Sequence, residues 1–269
     1  TLIAGADGTW NPRVGQPTIQ YGTDNYFNTS YGYSTVNSYL SSYTGCYDNE
    51  RISVSFINYT AHCSQGGWGD PSLSISDVYA MTNTNKYPLA VGNCCLSADF
   101  GYSGECVGEA WVRAENKGAV AYIGSSPSSY WFEDFYWSVG AFPISGTNDG
   151  YVPTVEETTM GVYDAMFMGD YKTTSALVFL GNLAVTEVDV EGYPQHSSPT
   201  YYWEAYNVLG DPSLVTYNTQ GSENSVSHLP TMPIGQTVYE VTAEPGSYVA
   251  ISKDGVLHGA GLVDATGTI

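Results

Sequence analysis

"ISVSFINYTAHC", residues 52–63, opens as a nearly unbroken apolar run and closes on an imidazole and a thiol. A strand with one wet face alternates apolar and polar residues, whereas a run of this kind suits a strand covered on both faces. Three other runs share its character: TLIAGAD (1–7), YPLAVG (87–92) and GAVAYIG (118–124). Between them lie stretches that can hold helices, LSISDVYAMTNTN (73–85) and GECVGEAWVRAENK (104–117). Buried strands alternating with helices predict an α/β fold, a mostly parallel sheet sandwiched between two helical layers. TTSALVFLGNLAVT (173–186) and TYYWEAYNVL (200–209) read as further helices, the second ending at Gly210.

The character changes after about residue 215. NTQGSENSVSHLPTMPIG (218–235) is a polar connector, and residues 236–269 alternate apolar and polar side chains around the turn signals EPGS and KDG. The chain therefore divides into an α/β region, 1–215, and a region, 216–269, that begins an immunoglobulin-like β-sandwich. The latter is too short to complete such a domain, which takes about 100 residues.

Composition excludes several functions. With 27 Asp and Glu against 7 Lys and Arg, the net charge is -20, which argues against nucleic acid, whose phosphates are held by Lys and Arg. No apolar run reaches the roughly 18 residues needed to span a bilayer. Because Thr1 begins directly in strand-like sequence, a mature or excised piece is expected rather than a precursor with a leader. Scarce Lys and Arg would also spare the chain from trypsin-like cleavage. The five cysteines (46, 63, 94, 95 and 106) are odd in number and lack paired CxxC spacing, so at least one thiol is free and zinc is not indicated.

In an open α/β sheet, reactive groups gather beyond the carboxyl ends of the strands. Asp7 follows the first run, His62 the second, Cys94–Cys95 the third and Ser125–Ser126 the fourth. On parallel strands these share one rim. A thiol needs a neighbouring base to become thiolate, and a carboxylate can fix that base's tautomer. Each residue also has an ordinary explanation: strand-end cysteines are commonly buried hydrophobes, and Asp before Gly is a turn residue.

NYTAHCSQGGWGDP (58–71), AVGNCCLSADF (90–100), GAVAYIGSSPSSYWFEDFYWSVGA (118–141), YYWEAYNVLGDPS (201–213) and GSYVAISKDGVLHGAG (246–261) strongly resemble the gingipains, secreted bacterial cysteine endopeptidases of caspase-like fold. The likeness runs over nearly the whole chain and is strongest to the lysine-specific member. The resemblance implies Cys95 as nucleophile, His62 as general base and acid, and Asp7 as the carboxylate behind the histidine. It implies an oxyanion hole from the backbone N–H groups of Cys95 and Cys63. It further implies a lysine slot with Asp134 at its floor, Tyr130 and Trp131 as walls and Thr60 capping the amine. Structural calcium, with Glu109 as one ligand, and sodium are implied as well. So are protein and peptide substrates with lysine at the cleavage site, a secreted or cell-surface location, and an N-terminal subdomain on a separate chain. Cys63 stands where the family has glycine, a departure expected to strain the backbone if a positive φ is needed there. Arginine specificity and a non-catalytic binding module on the same scaffold are the alternatives.

Overall fold

The computed structural model describes residues 1–41, 45–168, 171–218 and 223–269. It divides into two compact units, Thr1–Thr219 and Gln220–Ile269, a boundary a few residues beyond the one expected from composition.

In the first unit, β1 (Leu2–Ala4), β2 (Ser38–Tyr39) and β3 (Phe56–Thr60) are followed by a small antiparallel group, β4 (Cys63–Ser64), β5 (Gly67–Trp68) and β6 (Leu73–Ser74). β7 (Leu89–Asn93), β8 (Ala121–Ser125) and β9 (Tyr206–Gly210) complete its strands. The helices are α1 (Gln16–Asn25), α2 (Asn49–Ile52), α3 (Ile75–Ala80), α4 (Val107–Arg113), α5 (Trp131–Val139), α6 (Val162–Phe167), α7 (Thr174–Glu191) and α8 (Pro199–Ala205). The main sheet runs β2-β1-β3-β7-β8-β9 and is parallel except for β9, which lies antiparallel to β8.

β3, β7 and β8 are buried at every position. Successive side chains enter opposite cores, because a strand has a period of two. Leu89 and Val91 join one cluster with Phe135, Trp137 and Leu177, while Ala90 joins the other with Trp68 and Trp111. The buried runs are thus a sheet covered on both faces, the three-layer arrangement the sequence predicts. The Asn58-to-Thr60 end of β3 pairs in register with Val91 to Asn93 of β7, which brings the following residues, Ala61–His62 and Cys94–Cys95, to the same edge. Gly92 is required there: a Cβ at that position would collide with the Tyr122 hydroxyl across the sheet.

Two elements differ from expectation. Of the run 52–63, residues 56–60 form β3 and Cys63 opens β4, while 53–55 are not strand and Asn49–Ile52 is a helical turn. The segment 200–209, expected to be one helix, is helix to Ala205 and then the edge strand β9. β8 would otherwise expose an unpaired edge, and β9 satisfies it with a five-pair ladder from Ser125↔Tyr206 to Ala121↔Gly210. Tyr206 is further held by stacking on Trp137 at 4.7 Å. Tertiary pairing has overridden a helical pattern.

The strand pairs described in the second unit are antiparallel: β10 (Ser227–His228) with β11 (Val241–Thr242), and β12 (Tyr248–Lys253) with β13 (Val256–Leu262). Among its described residues, Val241, Ala243 and Val263 are the buried hydrophobics. No helix among the described residues is long and apolar enough to cross a membrane.

Candidate active site

At the carboxyl edge of β1, β3 and β7, the chain leaves the sheet in three short turns. After β1, Asp7 Oδ1 accepts the N–H groups of Trp10 (2.6 Å) and Thr9 (2.8 Å), an Asx turn that starts the next helical segment. Its Oδ2 lies 2.9 Å from His62 Nε2. The Trp10 N–H, the His62 ring and the Thr9 N–H together hold the Asp7 carboxyl below the ordinary aspartate range. With Nε2 committed to Asp7, the proton sits there and Nδ1 is left as the basic nitrogen. The His62 side chain is 60% exposed and meets the edge of Trp131 at 5.4 Å.

After β7, the chain turns sharply through Leu96, whose φ of 59° places a non-glycine residue in the left-handed region, a conformation costing about 1–2 kcal/mol. The turn is held on β8 by Leu96 N–H to Pro127 O (2.9 Å) and Ala98 N–H to Ser125 O (3.0 Å). Cys95 is lifted to the rim by this turn and is half-buried, while Cys94 is fully buried. The Cys95 sulfur accepts the Ser129 N–H at 3.3 Å and faces the Ser129 carbonyl at 3.5 Å. Among the described residues no hydrogen bond joins the thiol to the His62 ring; instead both line a cavity of about 280 Å³.

That cavity is completed by Trp10, Ala61, Ser129, Tyr130, Trp131, Asp134 and His196. Asp134 is 4% exposed and sits in the first turn of α5. Its Oδ1 accepts the hydroxyls of Tyr206 (2.7 Å) and Tyr202 (3.0 Å), and its Oδ2 accepts Ser129 Oγ (2.7 Å). Burial nevertheless dominates, pushing the carboxyl up to about 7. Glu133, next to it and fully buried, accepts the N–H groups of His196 and Ser197. This anchors the 195–198 segment so that the His196 ring stacks over Tyr130.

Of the residues expected from sequence, Asp7, His62, Cys95, Tyr130, Trp131 and Asp134 come together. Thr60 does not line the cavity. It is buried in β3, its Oγ1 accepting Asn58 Nδ2 (3.0 Å) and Asn93 Nδ2 (3.4 Å). Glu109 is spent on helix capping, its Oε2 accepting the Cys106 N–H at 2.9 Å in the first turn of α4. Among the described residues there is no group of three or more His, Cys, Asp or Glu side chains that could hold a metal ion. Cys63 is not strained: it belongs to β4 and is absent from the positive-φ residues. It is instead disulfide-bonded to Cys94, a pairing not anticipated from the sequence.

The sequence pattern of peptidase family C25 matches residues 10–217, most of the chain. The chain belongs to peptidase family C25. Lys-gingipain HG66 of Porphyromonas gingivalis is 50% identical over 268 residues, spanning 99% of this chain and 15% of that protein. Gingipain R2 of the same organism is 25% identical over 279 residues, spanning 97% of this chain and 34% of that one. A solved protease structure superposes with a TM-score of 0.89 at 50% identity, covering 99% of this chain and 59% of that one. The Arg-specific cysteine proteinase gingipain R superposes at 0.73 with 22% identity, a likeness of fold. The C25 chain here therefore spans only a small part of the curated gingipains it matches.

Sequence reasoning missed Ser129, Trp10 and His196. Ser129 lay in view, in SSPSSYW after β8, but nothing local marks which of four serines turns inward. Trp10 and His196 reach the cavity from opposite ends of the unit, a convergence that no local pattern encodes.

Proposed function

We propose that this C25 chain carries the catalytic unit of a secreted or cell-surface cysteine endopeptidase that cuts peptide bonds after lysine. The observation that carries the reading is a buried carboxylate, Asp134, on the wall of the same cavity that a thiol and an Asp-oriented imidazole line.

The substrate's scissile carbonyl enters between Cys95 and His62, which face the cavity without bonding each other. The Cys95 proton passes to His62 Nδ1, and the thiolate attacks the carbonyl carbon to give a tetrahedral oxyanion. The backbone N–H groups of Cys95 and Cys63 are the donors for that oxyanion. The Cys63 N–H is suited to this. Bonded and non-bonded pairs alternate in an antiparallel ladder, and the neighbouring pair is bonded through Gly69 N–H to His62 O (2.9 Å), so the Cys63–Trp68 pair leaves its N–H pointing outward. His62 then protonates the leaving amine as the C–N bond breaks, leaving a thioester on Cys95. Water, deprotonated by His62, hydrolyses the thioester. Asp7 holds the ring and stabilises it when charged.

Lysine is favoured over arginine by the state of Asp134. A carboxylate offers about four acceptor sites, and Tyr202, Tyr206 and Ser129 take three, both on Oδ1 and one on Oδ2. One site remains on Oδ2, enough for a single ammonium N–H but not for the two-pronged guanidinium fork. The aromatic walls Tyr130 and Trp131 suit the lysine methylenes. The 7 Lys and Arg of the chain leave few sites for self-cleavage.

Paired reporter peptides with Lys or Arg before the scissile bond test this: Lys cleavage should exceed Arg cleavage by about 100-fold or more. Equal rates would refute the pocket, Arg preference would place the chain with the arginine-specific gingipains, and absence of cleavage with no selective labelling of Cys95 would leave a binding module. Calcium and sodium enter no step; a melting shift on chelation would be the sign of a structural ion.

A further inference from the structure

The Cys63–Cys94 disulfide joins the residue after His62 to the residue before Cys95. The covalent path between the two reactive residues therefore runs His62–Cys63–S–S–Cys94–Cys95. Their Cα atoms at 63 and 94 lie 5.5 Å apart across a separation of 31 residues. The β3–β7 ladder that aligns the two segments ends at Thr60↔Asn93, three residues before Cys63 and one before Cys94. Beyond it, His62 is held by the Gly69 N–H to its carbonyl, by Asp7, and by a glycine-rich hairpin, SQGGWG. Its ring is mostly in solvent. One side-chain bond crosses from that hairpin to the thiol side, Gln65 Nε2 to Asp99 Oδ2 at 3.1 Å, three residues past His62 and four past Cys95; the two reactive groups themselves make no hydrogen bond to each other.

We propose that the Cys63–Cys94 disulfide is a clamp that positions His62 against Cys95, taking over where the sheet ladder stops. This rests on the peptidase reading of the site. The pair acts through its neighbours and touches no reacting atom, so Cys63 and Cys94 are positioning residues. The clamp also gives the site an opposed redox requirement. Cys95 works as the free thiol, whereas its alignment depends on two neighbours remaining oxidised. A dithiol reaches the half-buried Cys63 sulfur rather than the fully buried Cys94. Its thiolate bonds to Cys63 Sγ and expels Cys94 as thiolate, which takes up a proton. The second thiol of the reagent then closes on the first, releasing Cys63 as thiol and a cyclic disulfide. Two electrons and two protons pass from the dithiol to the protein, and Cys95 is unchanged.

The test uses the full chain in three forms: wild type, the double variant Cys63→Ser/Cys94→Ser, and wild type reduced by a dithiol with the two-hydrogen mass gain confirmed. Turnover of a lysyl reporter and the pH-dependent rate of Cys95 alkylation by chloroacetamide are measured well below each form's melting temperature. The clamp predicts that kcat falls by on the order of 10- to 100-fold in both altered forms with KM changed less than about twofold. Alkylation near neutral pH slows and its pH midpoint rises, because the imidazole no longer supports the thiolate. A clamp that merely closes a loop would lower the melting temperature and leave kcat and the alkylation profile unchanged; that result overturns the proposal, as does finding Cys63 and Cys94 as free thiols in unreduced protein. In-situ reduction keeps the test valid should the double variant misfold. Alkylation needs no proteolysis, so the ratio of labelling rates reads the clamp, while cleavage by unreduced wild type reads the function.

Discussion

Asp134 lines the cavity, Asp7 stands behind His62, which lines it too, and the two carboxyls are tuned in opposite directions. Asp7 lies at the rim, where two backbone N–H groups and the His62 ring surround its carboxylate, and it is held below the ordinary range. Asp134 lies inside, with three hydroxyls around it, and is pushed up to about 7. Each accepts three hydrogen bonds, so the count does not decide. Depth does. At the rim the desolvation cost is small and the hydrogen bonds win, while inside it outweighs three neutral donors. The rim carboxylate is favoured in its charged form and suited to steadying an imidazolium. The inner one is poised to ionise when a cation arrives to replace the lost water.

The strongest blow to this comparison removes the thiol that both sides serve. Cys95→Ala should lower lysyl-reporter turnover on the order of 10⁴-fold or more, while a lysine-bearing competitive peptide still binds within a few-fold of wild type. Asp134→Asn comes next, with kcat/KM for lysyl peptides falling about 100- to 1,000-fold because a buried cation would lose its counter-charge. Chloroacetamide labelling of Cys95 should be nearly unchanged in that variant, separating pocket from nucleophile. Asp7→Asn should cost about 10- to 100-fold in kcat, with KM held, since its pair with His62 is partly in solvent. Equal losses for Lys and Arg peptides in Asp134→Asn would erase the functional distinction between the two carboxylates.

The smallest effect is on stability, and its sign differs between them. Asp134 binds its proton more tightly folded than unfolded, so its contribution is fully present below about pH 4 and is lost as pH rises through 7. Asp7 is the reverse: its contribution is present above the unfolded aspartate range and is lost as pH falls below about 4. Urea unfolding at about pH 4.5 and about pH 8 should therefore show Asp134→Asn gaining on wild type at the higher pH. Asp7→Asn should show no such gain between those two pH values. A parallel response in both variants would mean that depth does not separate them.

How much of this was legible in sequence follows the range of the interactions. Asp7, His62 and Cys95 could be placed at strand ends because buried strands announce themselves in a few consecutive residues. Asp134 was singled out through the family resemblance, yet its raised carboxyl was not foreseeable, since Tyr202 and Tyr206 arrive from about 70 residues away. Thr60, expected at the amine, is buried in β3 with its hydroxyl accepting from Asn58 and Asn93, a pairing that depends on the neighbouring strand and leaves no local mark. The break of the 200–209 helix at Tyr206 was hidden because only the unpaired edge of β8 required it.

The sequence by itself determined the buried strands β1, β3, β7 and β8, the layers around them and the rim that carries His62 and Cys95, all written in local apolar patterns. Tertiary structure alone decided which serine faces Cys95, that Glu133 anchors His196 over the cavity, how deeply Asp134 lies, and that Cys63 pairs with Cys94. Those features arise between residues 31 to 72 positions apart. Local periodicity carries no information about such contacts, because they form only once the strands have taken their order.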